Sequence, residues 1–267
     1  MKNLRFKLTI LSSVGMLFYA VPKANYMIKH KDRYTFEERY TYACTMANRM
    51  RRHARTQSHI YGLENLPLDE TYVLYPNHQG KYDALGIALS VTRPVSVLFE
   101  KKQASRLLAR QVCGLIEATI IDHSDDRDKV RAIHRATDHV ASGVNYVIFP
   151  EGGYTDNKNT LQEFYTGCLN VSIRTKTTII PVCLYDSYKS MNSNTFEKVI
   201  TQIHYLKPIP YDEYKDLKKP EIATLIKSRI QEKLDEIEAG KVSGEYVTLP
   251  KRYSIKQITK TSKDSER

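Results

Sequence analysis

The chain has 267 residues, of which 41% are hydrophobic, and this is enough for one packed α/β domain with a helical extension. Its net charge of +11 and pI near 9.3 suit an anionic partner such as a phospholipid surface or an acyl-CoA. No zinc-finger spacing and no basic stripe interleaved with aromatic residues is present, so we expect no nucleic-acid partner.

The first predicted element is the apolar segment Leu8–Pro22, which lies between Lys7 and Lys23. The segment is shorter than the ~20 residues that a membrane-spanning helix needs. Its basic prefix is typical of a signal peptide, but no convincing small-x-small cleavage site follows. We therefore predict a helix that is re-entrant or lies in the membrane interface.

The second predicted element is a helix over residues 35–57. Its end is crowded with arginines, which suit both the carboxyl end of a helix dipole and anionic lipid headgroups. The alternative is a helix that packs on the domain. Together, residues 1–57 predict a membrane-associated helical pair at the cytoplasmic face of the cell membrane. The apolar positions at helical spacing are Phe36, Tyr40, Ala43, Ala47 and Met50.

Strands and helices then alternate over residues 58–240, which are predicted to form one domain. This alternation predicts an α/β fold with a largely parallel central sheet flanked by helices. From residue 241 to residue 267 the chain is polar and basic, and we predict a poorly ordered tail. Predicted strands are 72–74, 94–99, 118–121, 146–148, 178–184 and 198–206, and predicted helices are 103–112, 125–142, 167–175 and 221–238.

Two loops that each follow an apolar, β-rich run carry the predicted chemistry. The first, Tyr75–Asp83, supplies His78 and Asp83, which are the parts of a general base and its orienting carboxylate. The second, Phe149–Gly153, supplies a carboxylate and flexible backbone. Because parallel strands end at one edge of their sheet, both loops are predicted to meet there. The combination favours acyl transfer to a hydroxyl.

A second histidine, His123, has Asp128 at the same spacing, so spacing alone does not select His78. The run around His123 is polar and acidic and predicts the beginning of a helix. His78 instead directly follows a predicted strand, and Asp83 falls in the first turn of an apolar segment. This context favours His78, with a surface pair of no function as the alternative.

Four blocks of the sequence resemble, in order and spacing, the glycerolipid acyltransferases, and most closely the bacterial 1-acylglycerol-3-phosphate acyltransferase. The resemblance covers roughly residues 60–210. It implies that His78 and Asp83 are catalytic and that the substrate site includes Asn77, Asp122, Glu151, Gly152 and Gly153. The blocks are Asn77-His78 with Asp83, Gly114 followed by Ile120-Ile121-Asp122, Phe149-Pro150-Glu151-Gly152, and Ile179-Ile180-Pro181-Val182.

The chain departs from the family pattern at two arginines that are thought to hold the acceptor's phosphate. His123 follows Ile121-Asp122, and Gly153-Tyr154 follows Glu151-Gly152, at the family's arginine positions. Neither tyrosine nor neutral histidine replaces a bidentate guanidinium. Other cations are therefore predicted to take this role, with Arg127 and Lys158 as the first candidates and Lys101 and Lys102 as further ones.

The sequence as a whole predicts an acyltransferase that moves a fatty acyl chain from acyl-CoA or acyl carrier protein to the free hydroxyl of 1-acylglycerol 3-phosphate, giving phosphatidic acid. His78 would take the hydroxyl proton, and backbone amides near Gly80 are a candidate oxyanion site. The alternatives are an acyltransferase for another lysolipid or hydroxyl acceptor, and a non-catalytic basic membrane-binding protein.

Neither a metal nor a cofactor is expected beyond the acyl donor. The four cysteines show no paired spacing, which is typical of reduced thiols in a cytosolic setting and gives no metal signature. No glycine-rich phosphate loop with its lysine is present, which excludes an ATPase of that class.

Overall fold

A mixed sheet of eight strands forms the centre of the protein, in the order β4-β3-β5-β2-β6-β7-β1-β8. The structure, a computed structural model, describes residues 4–195, 197–242 and 244–254. The strands are β1 (Thr56–Tyr61), β2 (Tyr72–Pro76), β3 (Val95–Glu100), β4 (Thr119–Ile121), β5 (Asn145–Val147), β6 (Thr178–Tyr185), β7 (Val199–Tyr205) and β8 (Val247–Thr248).

The strands from β4 to β6 in this order are all parallel to one another. Their carboxyl ends therefore meet at a single edge of the sheet, which is where open α/β folds place their ligands. β7 is antiparallel to β6 and parallel to β1. The beginnings of β7 and β1 therefore lie at that same edge. The predicted α/β fold with flanking helices is confirmed, and the sheet is mixed rather than parallel throughout.

Helices cover both faces of the sheet, as a parallel sheet requires. The helices are α1 (Leu4–Ser12), α2 (Gly15–Lys29), α3 (Phe36–His53), α4 (Asp83–Ser90), α5 (Lys101–Ala104), α6 (Ala109–Leu115), α7 (Asp126–Ala141), α8 (Asn170–Thr175), α9 (Tyr188–Met191), α10 (Tyr211–Tyr214) and α11 (Lys219–Glu238).

Side chains of the central strand β2 alternate between two separate cores. Leu74 points into the core that α2, α3 and α4 cover, whereas Val73 and Tyr75 point into the core that α7, α8 and α11 cover. All five residues of β2 are buried. The strand that precedes His78 is thus held from both faces, which fixes where the following loop begins.

Buried polar contacts fasten the N-terminal helices to the domain. The Arg5 guanidinium of α1 is buried and donates from Nε to the Ala54 carbonyl and from one terminal nitrogen to the Thr195 carbonyl, both at 2.9 Å. Arg39 of α3 and Lys31 each place a nitrogen 2.8 Å from Glu117 Oε1. α1 and α3 therefore pack on the sheet domain, which was the alternative for residues 35–57.

The predicted N-terminal helix over Leu8–Pro22 is two helices in the structure, with a turn at Ser13 and Val14. The Ser13 hydroxyl donates to the Thr9 carbonyl at 2.7 Å, and Gly15 follows. Both features weaken a helix interior. Within the described parts of the chain, no helix has the length and apolar character that crossing a membrane requires. Membrane association of residues 1–57 stays a prediction.

Two further elements differ from expectation. The predicted helix 103–112 is broken into α5 and α6, because Leu108 adopts φ +70° and its backbone N–H donates to Gln111 Oε1 at 3.1 Å, which begins α6. β1 was not predicted. Its buried residues alternate with half-buried ones, as in a strand. Most of its residues are polar, however, so the sequence lacks the hydrophobic pattern that is typical of a strand.

The tail beyond residue 241 is ordered in part, contrary to expectation. Its strand β8 pairs antiparallel with β1. Arg51 and Asn48 of α3 donate to the carbonyls of Pro250 and Lys251 at 3.0 and 3.2 Å. These contacts hold the segment against the domain. The rest of the predicted tail, residues 255–267, lies outside the described residues.

Candidate active site

The loops that follow β2 and β5 meet at the carboxyl edge of the sheet. The imidazole of His78 stacks on the Phe149 ring with centroids 4.2 Å apart, and Tyr154 meets its edge at 4.8 Å. Asn157 of the second loop donates from Nδ2 to the His78 carbonyl at 3.1 Å. The structure therefore brings together the two loops that the sequence singled out.

His78 and Asp83 form a hydrogen-bonded pair, with Nδ1 and Oδ2 2.7 Å apart. The Asp83 side chain is 0% exposed and the His78 side chain is 17% exposed, so only the imidazole reaches the cleft. Since a carboxylate accepts and cannot donate, Nδ1 carries the ring proton. In the neutral ring, Nε2 then keeps its lone pair and can accept a proton from a substrate.

The Asp83 carboxylate is held by three further donors. Oδ2 accepts from the backbone N–H groups of Gln79 and Gly80 at 2.5 and 2.8 Å, and Oδ1 accepts from Ser187 Oγ at 2.5 Å. These contacts satisfy a buried charge, which would otherwise be costly. They also correct one expectation. The amides of Gln79 and Gly80 are occupied by Asp83, so they are not the oxyanion donors.

Two amide side chains fix the His78 loop against β6. Asn77 exchanges two hydrogen bonds with the Leu184 backbone, at 3.0 and 2.7 Å. Gln79 donates to the Leu184 carbonyl at 2.7 Å and to Asn159 Oδ1 at 2.9 Å, and it accepts from the Ser187 N–H at 2.8 Å. Asn77 is buried, and its amide is engaged by the backbone. Its substrate contact stays a prediction, and its visible role is to shape the loop.

Glu151 is buried, and its two carboxylate oxygens differ in their hydrogen bonds. The residue is 5% exposed, and Oε2 accepts from Gln162 Nε2 at 2.6 Å. Among the described residues, Oε1 is buried and has no hydrogen-bond partner. Burial raises the pKa of Glu151, against the opposing effect of the Gln162 hydrogen bond. A buried acceptor without a hydrogen-bond partner is uncommon in folded proteins, so this oxygen is a candidate for contact with a substrate.

The two glycines after Glu151 have different surroundings. Gly152 adopts φ +68°, and a Cβ there would stand 3.0 Å from the Tyr165 ring and 4.0 Å from His123 Cε1. The backbone conformation therefore requires glycine, and His123 lies close to this turn. Gly153 has no positive φ, and a Cβ there would meet open space. The predicted substrate contacts of Gly152 and Gly153 stay predictions.

The remaining predicted substrate residues are not joined to His78 by any contact that we observe. Asp122 accepts from Lys101 Nζ at 2.9 Å and from Ser124 Oγ at 2.6 Å, and these hydrogen bonds lower its pKa. Arg127 and Lys158 are exposed, and within the described chain neither side chain forms an ion pair. Lys158 stands between Asn157 and Asn159, which both contact the His78 loop. Substrate binding by these residues stays a prediction.

Sequence reasoning missed several residues of this site. Ser187, which donates to Asp83, lies two residues beyond the end of β6, so the rule that strands end at one edge of the sheet could have found it. Lys81 was overlooked as a cation of the His78 loop, although its Nζ lies 5.9 Å from the Tyr154 ring. No pattern points to Gln162, whose partner Glu151 comes from the preceding turn.

Comparisons with known proteins relate the chain to acyltransferases. A sequence model of the acyltransferase family matches residues 57–185. The chain is 24% identical over 211 residues to a 1-acyl-sn-glycerol-3-phosphate acyltransferase of Escherichia coli (strain K12), which covers 73% of this chain and 85% of that protein. The alpha form of the Homo sapiens enzyme is 22% identical over 195 residues, which covers 72% and 69% of the two chains.

Among solved structures, the chain is similar to the 1-acyl-sn-glycerophosphate (LPA) acyltransferase PlsC from Thermotoga maritima. The TM-score is 0.71 at 16% identity, and the match covers 91% of this chain and 98% of that one. At this identity the likeness shows a shared fold. It extends beyond the residues of the family match.

Proposed function

We propose that the chain moves a fatty acyl group from a thioester donor to the free hydroxyl of 1-acylglycerol 3-phosphate, giving phosphatidic acid. The premise is the match of residues 57–185 to a sequence model of the acyltransferase family. The observation that carries the proposal is the His78–Asp83 pair, joined at 2.7 Å at the carboxyl edge of the sheet. The buried Glu151 oxygen without a described partner adds a second polar group to the same site.

The mechanism follows from the state of the imidazole. The acceptor hydroxyl attacks the thioester carbonyl carbon while its proton passes to His78 Nε2. Asp83 fixes the ring and stabilises the imidazolium that forms, and a positioned base of this kind contributes about 10²–10⁴-fold. When the tetrahedral intermediate collapses, the carbon–sulfur bond breaks and the thiolate takes the proton back from Nε2. His78 is then ready for another cycle.

Glu151 is assigned to ordering the acceptor rather than to a second proton transfer. Its Oε2 is committed to Gln162, whereas Oε1 is left to meet a polar group of the substrate. Burial raises the pKa of this carboxyl and makes an unpaired charge unfavourable, so a donor from the acceptor would relieve the site.

The acyl donor is proposed to be acyl-CoA or acyl carrier protein, acting as a co-substrate, with no further cofactor. A thioester is already activated toward attack by an alcohol. His78 and Asp83 can therefore supply the general base, and Glu151 can order the acceptor. The donors that stabilise the oxyanion would come from other groups.

Membrane association is supported by an apolar tip at the turn between α1 and α2. Leu11 is 66% exposed and Phe18 is 81% exposed, and Val14 between them is also exposed. These three exposed apolar side chains fall within eight residues of the chain, and the exposed Lys7 and Lys23 that flank them in sequence suit anionic lipid. We place this tip on the cytoplasmic face of the cell membrane, where the lysolipid acceptor would be reached.

A second candidate is transfer to a different lysolipid or hydroxyl acceptor. It is favoured by His123 and Tyr154, which stand where the family has its phosphate-binding arginines. A non-catalytic membrane-binding protein is the third reading, and it requires that the His78–Asp83 pair performs no chemistry.

One experiment separates the three candidates. Purified protein is incubated with labelled acyl-CoA or acyl carrier protein and with lysophosphatidate, other lysophospholipids or monoacylglycerol, and a folded His78→Ala variant is the control. Product with lysophosphatidate that is lost in His78→Ala supports the first candidate. Product with other acceptors alone supports the second. No product from the wild type with any acceptor contradicts both.

A further inference from the structure

We propose that Asn157 is a positioning residue for the reaction. From the loop that follows β5, it sets the orientation of the His78 backbone and so keeps the imidazole in its productive place. The inference rests on the proposed function, because a positioned base has a use only where a proton is transferred. Asn157 acts through the peptide unit that joins His78 to Gln79, and not on the reacting atoms.

The peptide unit between His78 and Gln79 is held at both of its polar ends. Its carbonyl, that of His78, accepts from Asn157 Nδ2 at 3.1 Å. Its N–H, that of Gln79, donates to Asp83 Oδ2 at 2.5 Å, and the same oxygen lies 2.7 Å from His78 Nδ1. The tilt of one peptide plane therefore governs both the backbone that carries the imidazole and a donor to the carboxylate that orients it. Asn157 fixes the other end of that plane.

The Asn157 amide is itself fixed by its own loop. Nδ2 donates to the Thr160 carbonyl at 2.8 Å as well as to the His78 carbonyl, so both of its hydrogens are used. Oδ1 accepts from the Thr155 N–H at 3.2 Å. A backbone N–H meets the oxygen and two backbone carbonyls meet the nitrogen, which determines the orientation of the amide. The side chain therefore cannot turn away from His78 without losing three contacts.

A short series of hydrogen bonds joins this amide to Glu151. Thr155, which donates its backbone N–H to Asn157, also donates from Oγ1 to Gln162 Oε1 at 3.1 Å. Gln162 Nε2 in turn donates to Glu151 Oε2 at 2.6 Å. One loop therefore supports the proposed base and also holds the carboxylate that is proposed to order the acceptor. Because the last of these contacts does not include Asn157, we expect its loss to affect His78 more than Glu151.

Strained backbone lies beside the contact between the two loops. Lys158 and Asp186 have φ +51° and +58°, values that residues other than glycine rarely adopt. Asn159 directly follows Lys158, accepts from the Asp186 N–H at 2.9 Å and donates to Asp186 Oδ1 at 3.2 Å. Backbone of this kind persists where surrounding contacts determine it, and it clusters at functional sites. The loop that carries Asn157 is therefore held in a conformation that its local sequence does not favour.

The test is the isosteric substitution Asn157→Asp. The new carboxylate can still accept from the Thr155 N–H, but it has no donor for the His78 carbonyl and places an oxygen against it. Steady-state kinetics with acyl-CoA and lysophosphatidate give kcat and KM. Amide hydrogen exchange of Gln79 and Gly80, which both donate to the orienting carboxylate, reports on the loop without turnover.

Asn65→Asp is the matched control. Asn65 is half-buried like Asn157, and it donates from Nδ2 to a distant backbone carbonyl, that of Tyr205, at 2.8 Å. Tyr205 is the last residue of β7, and β7 begins at the carboxyl edge that carries His78, so the control bond lies at the opposite edge of the sheet. The two substitutions remove the same kind of donor and add the same charge.

We expect Asn157→Asp to lower kcat roughly tenfold to a hundredfold, the range for a hydrogen-bond acceptor that is left unsatisfied. KM should change by less than about twofold, because Gln162 keeps its contact with Glu151. Asn157→Ala, which removes the donor without adding an oxygen, should lower kcat about threefold to tenfold. Both variants should speed exchange of the two loop amides, whereas Asn65→Asp should leave kcat and this exchange unchanged.

An unchanged kcat in folded Asn157→Asp, or an equal fall in Asn65→Asp, would overturn the inference. A rise in KM alone would also overturn it, because Asn157 would then bind substrate. If the wild type transfers no acyl group to any acceptor, the proposed function fails, and the exchange of the loop amides in Asn157→Asp decides whether Asn157 controls the His78 backbone. If the wild type acylates lysophosphatidate and Asn157→Asp does so at the same rate, the inference fails alone. Should Asn157→Asp not fold, Asn157→Ala decides by the same two measurements.

Discussion

Ser187 Oγ lies 2.5 Å from Asp83 Oδ1, although the two residues are 104 positions apart in the chain. The serine follows β6 and the carboxylate begins α4, so the contact ties the end of one strand to the loop that carries His78. Ser187 also donates its backbone N–H to Gln79 at 2.8 Å. Ser187 therefore contacts the His78 loop through both its side chain and its backbone.

Replacing Ser187 with alanine should lower kcat about tenfold with little change in KM, because Asp83 would lose a hydrogen bond to a charged group. With one donor fewer, the carboxylate would hold the imidazole less firmly in its productive orientation. Ser190→Ala is the control, since Ser190 Oγ bonds to Thr56 Oγ1 at 2.7 Å and not to Asp83. A kcat of Ser187→Ala equal to that of the wild type would contradict this role.

Glu117→Gln should destabilise the protein by about 1–3 kcal/mol at neutral pH, because the buried Arg39 guanidinium would lose its charged partner. Burial opposes ionisation of Glu117, but Lys31 and Arg39 outweigh it and lower the pKa. This contribution is present above the unfolded-state pKa of about 4.3 and is lost as the pH falls through the lowered folded-state value.

Chemical denaturation as a function of pH measures this effect of Glu117. The difference between wild type and Glu117→Gln should be full at neutral pH and should shrink below about pH 4. Glu163→Gln is the matched control, since Glu163 pairs with Lys227 while its side chain is 97% exposed, and exposed pairs contribute little. Equal effects of the two substitutions at pH 7 would refute the stabilising role of the Glu117 ion pairs.

Gly152→Ala should cost about 1–2 kcal/mol, because the backbone there has φ +68° and an L-residue is strained in that region. The new Cβ would also stand 3.0 Å from the Tyr165 ring, so the turn that carries Glu151 should shift and kcat/KM should fall. Gly153→Ala, one residue later, has neither constraint and should change stability by less than about 0.5 kcal/mol. Thermal unfolding and kinetics of the two variants give the comparison, and similar losses in both would contradict it.

The double substitution of Leu11 and Phe18 by serine should weaken sedimentation with anionic vesicles while leaving the melting temperature nearly unchanged. Both side chains are largely exposed, so they contribute to a surface rather than to the core. Deletion of residues 1–25 is a poorer test, because it also removes the buried Arg5 that donates to the Ala54 carbonyl. Unchanged sedimentation of the serine variant would show that the tip does not anchor the protein.

The sequence predicted the features that depend on local pattern. The alternation of apolar runs placed β2, β6 and α7 within a few residues of their bounds, and the five-residue step from His78 to Asp83 returned the carboxylate to the imidazole. The bounds of these elements follow from hydrophobic periodicity, and the contact between Asp83 and His78 follows from a tight turn.

Features that depend on distant partners were not predictable in the same way. The direction of β7 is set by its antiparallel pairing with β6, and the break at Leu108 is set by a side-chain cap from Gln111. The occupation of the Gly80 amide by Asp83 likewise requires the folded loop. In each case a contact formed only in the tertiary structure outweighs the local preference.

The short strand β8 has a practical consequence for anyone trimming the protein. Because the chain after α11 is polar, a truncation beyond residue 240 would be a natural choice. That segment, however, contains β8, which pairs with the outer side of β1. A shortened protein would display the free peptide groups of β1 along the rim of the sheet, which is a template for self-association with another copy.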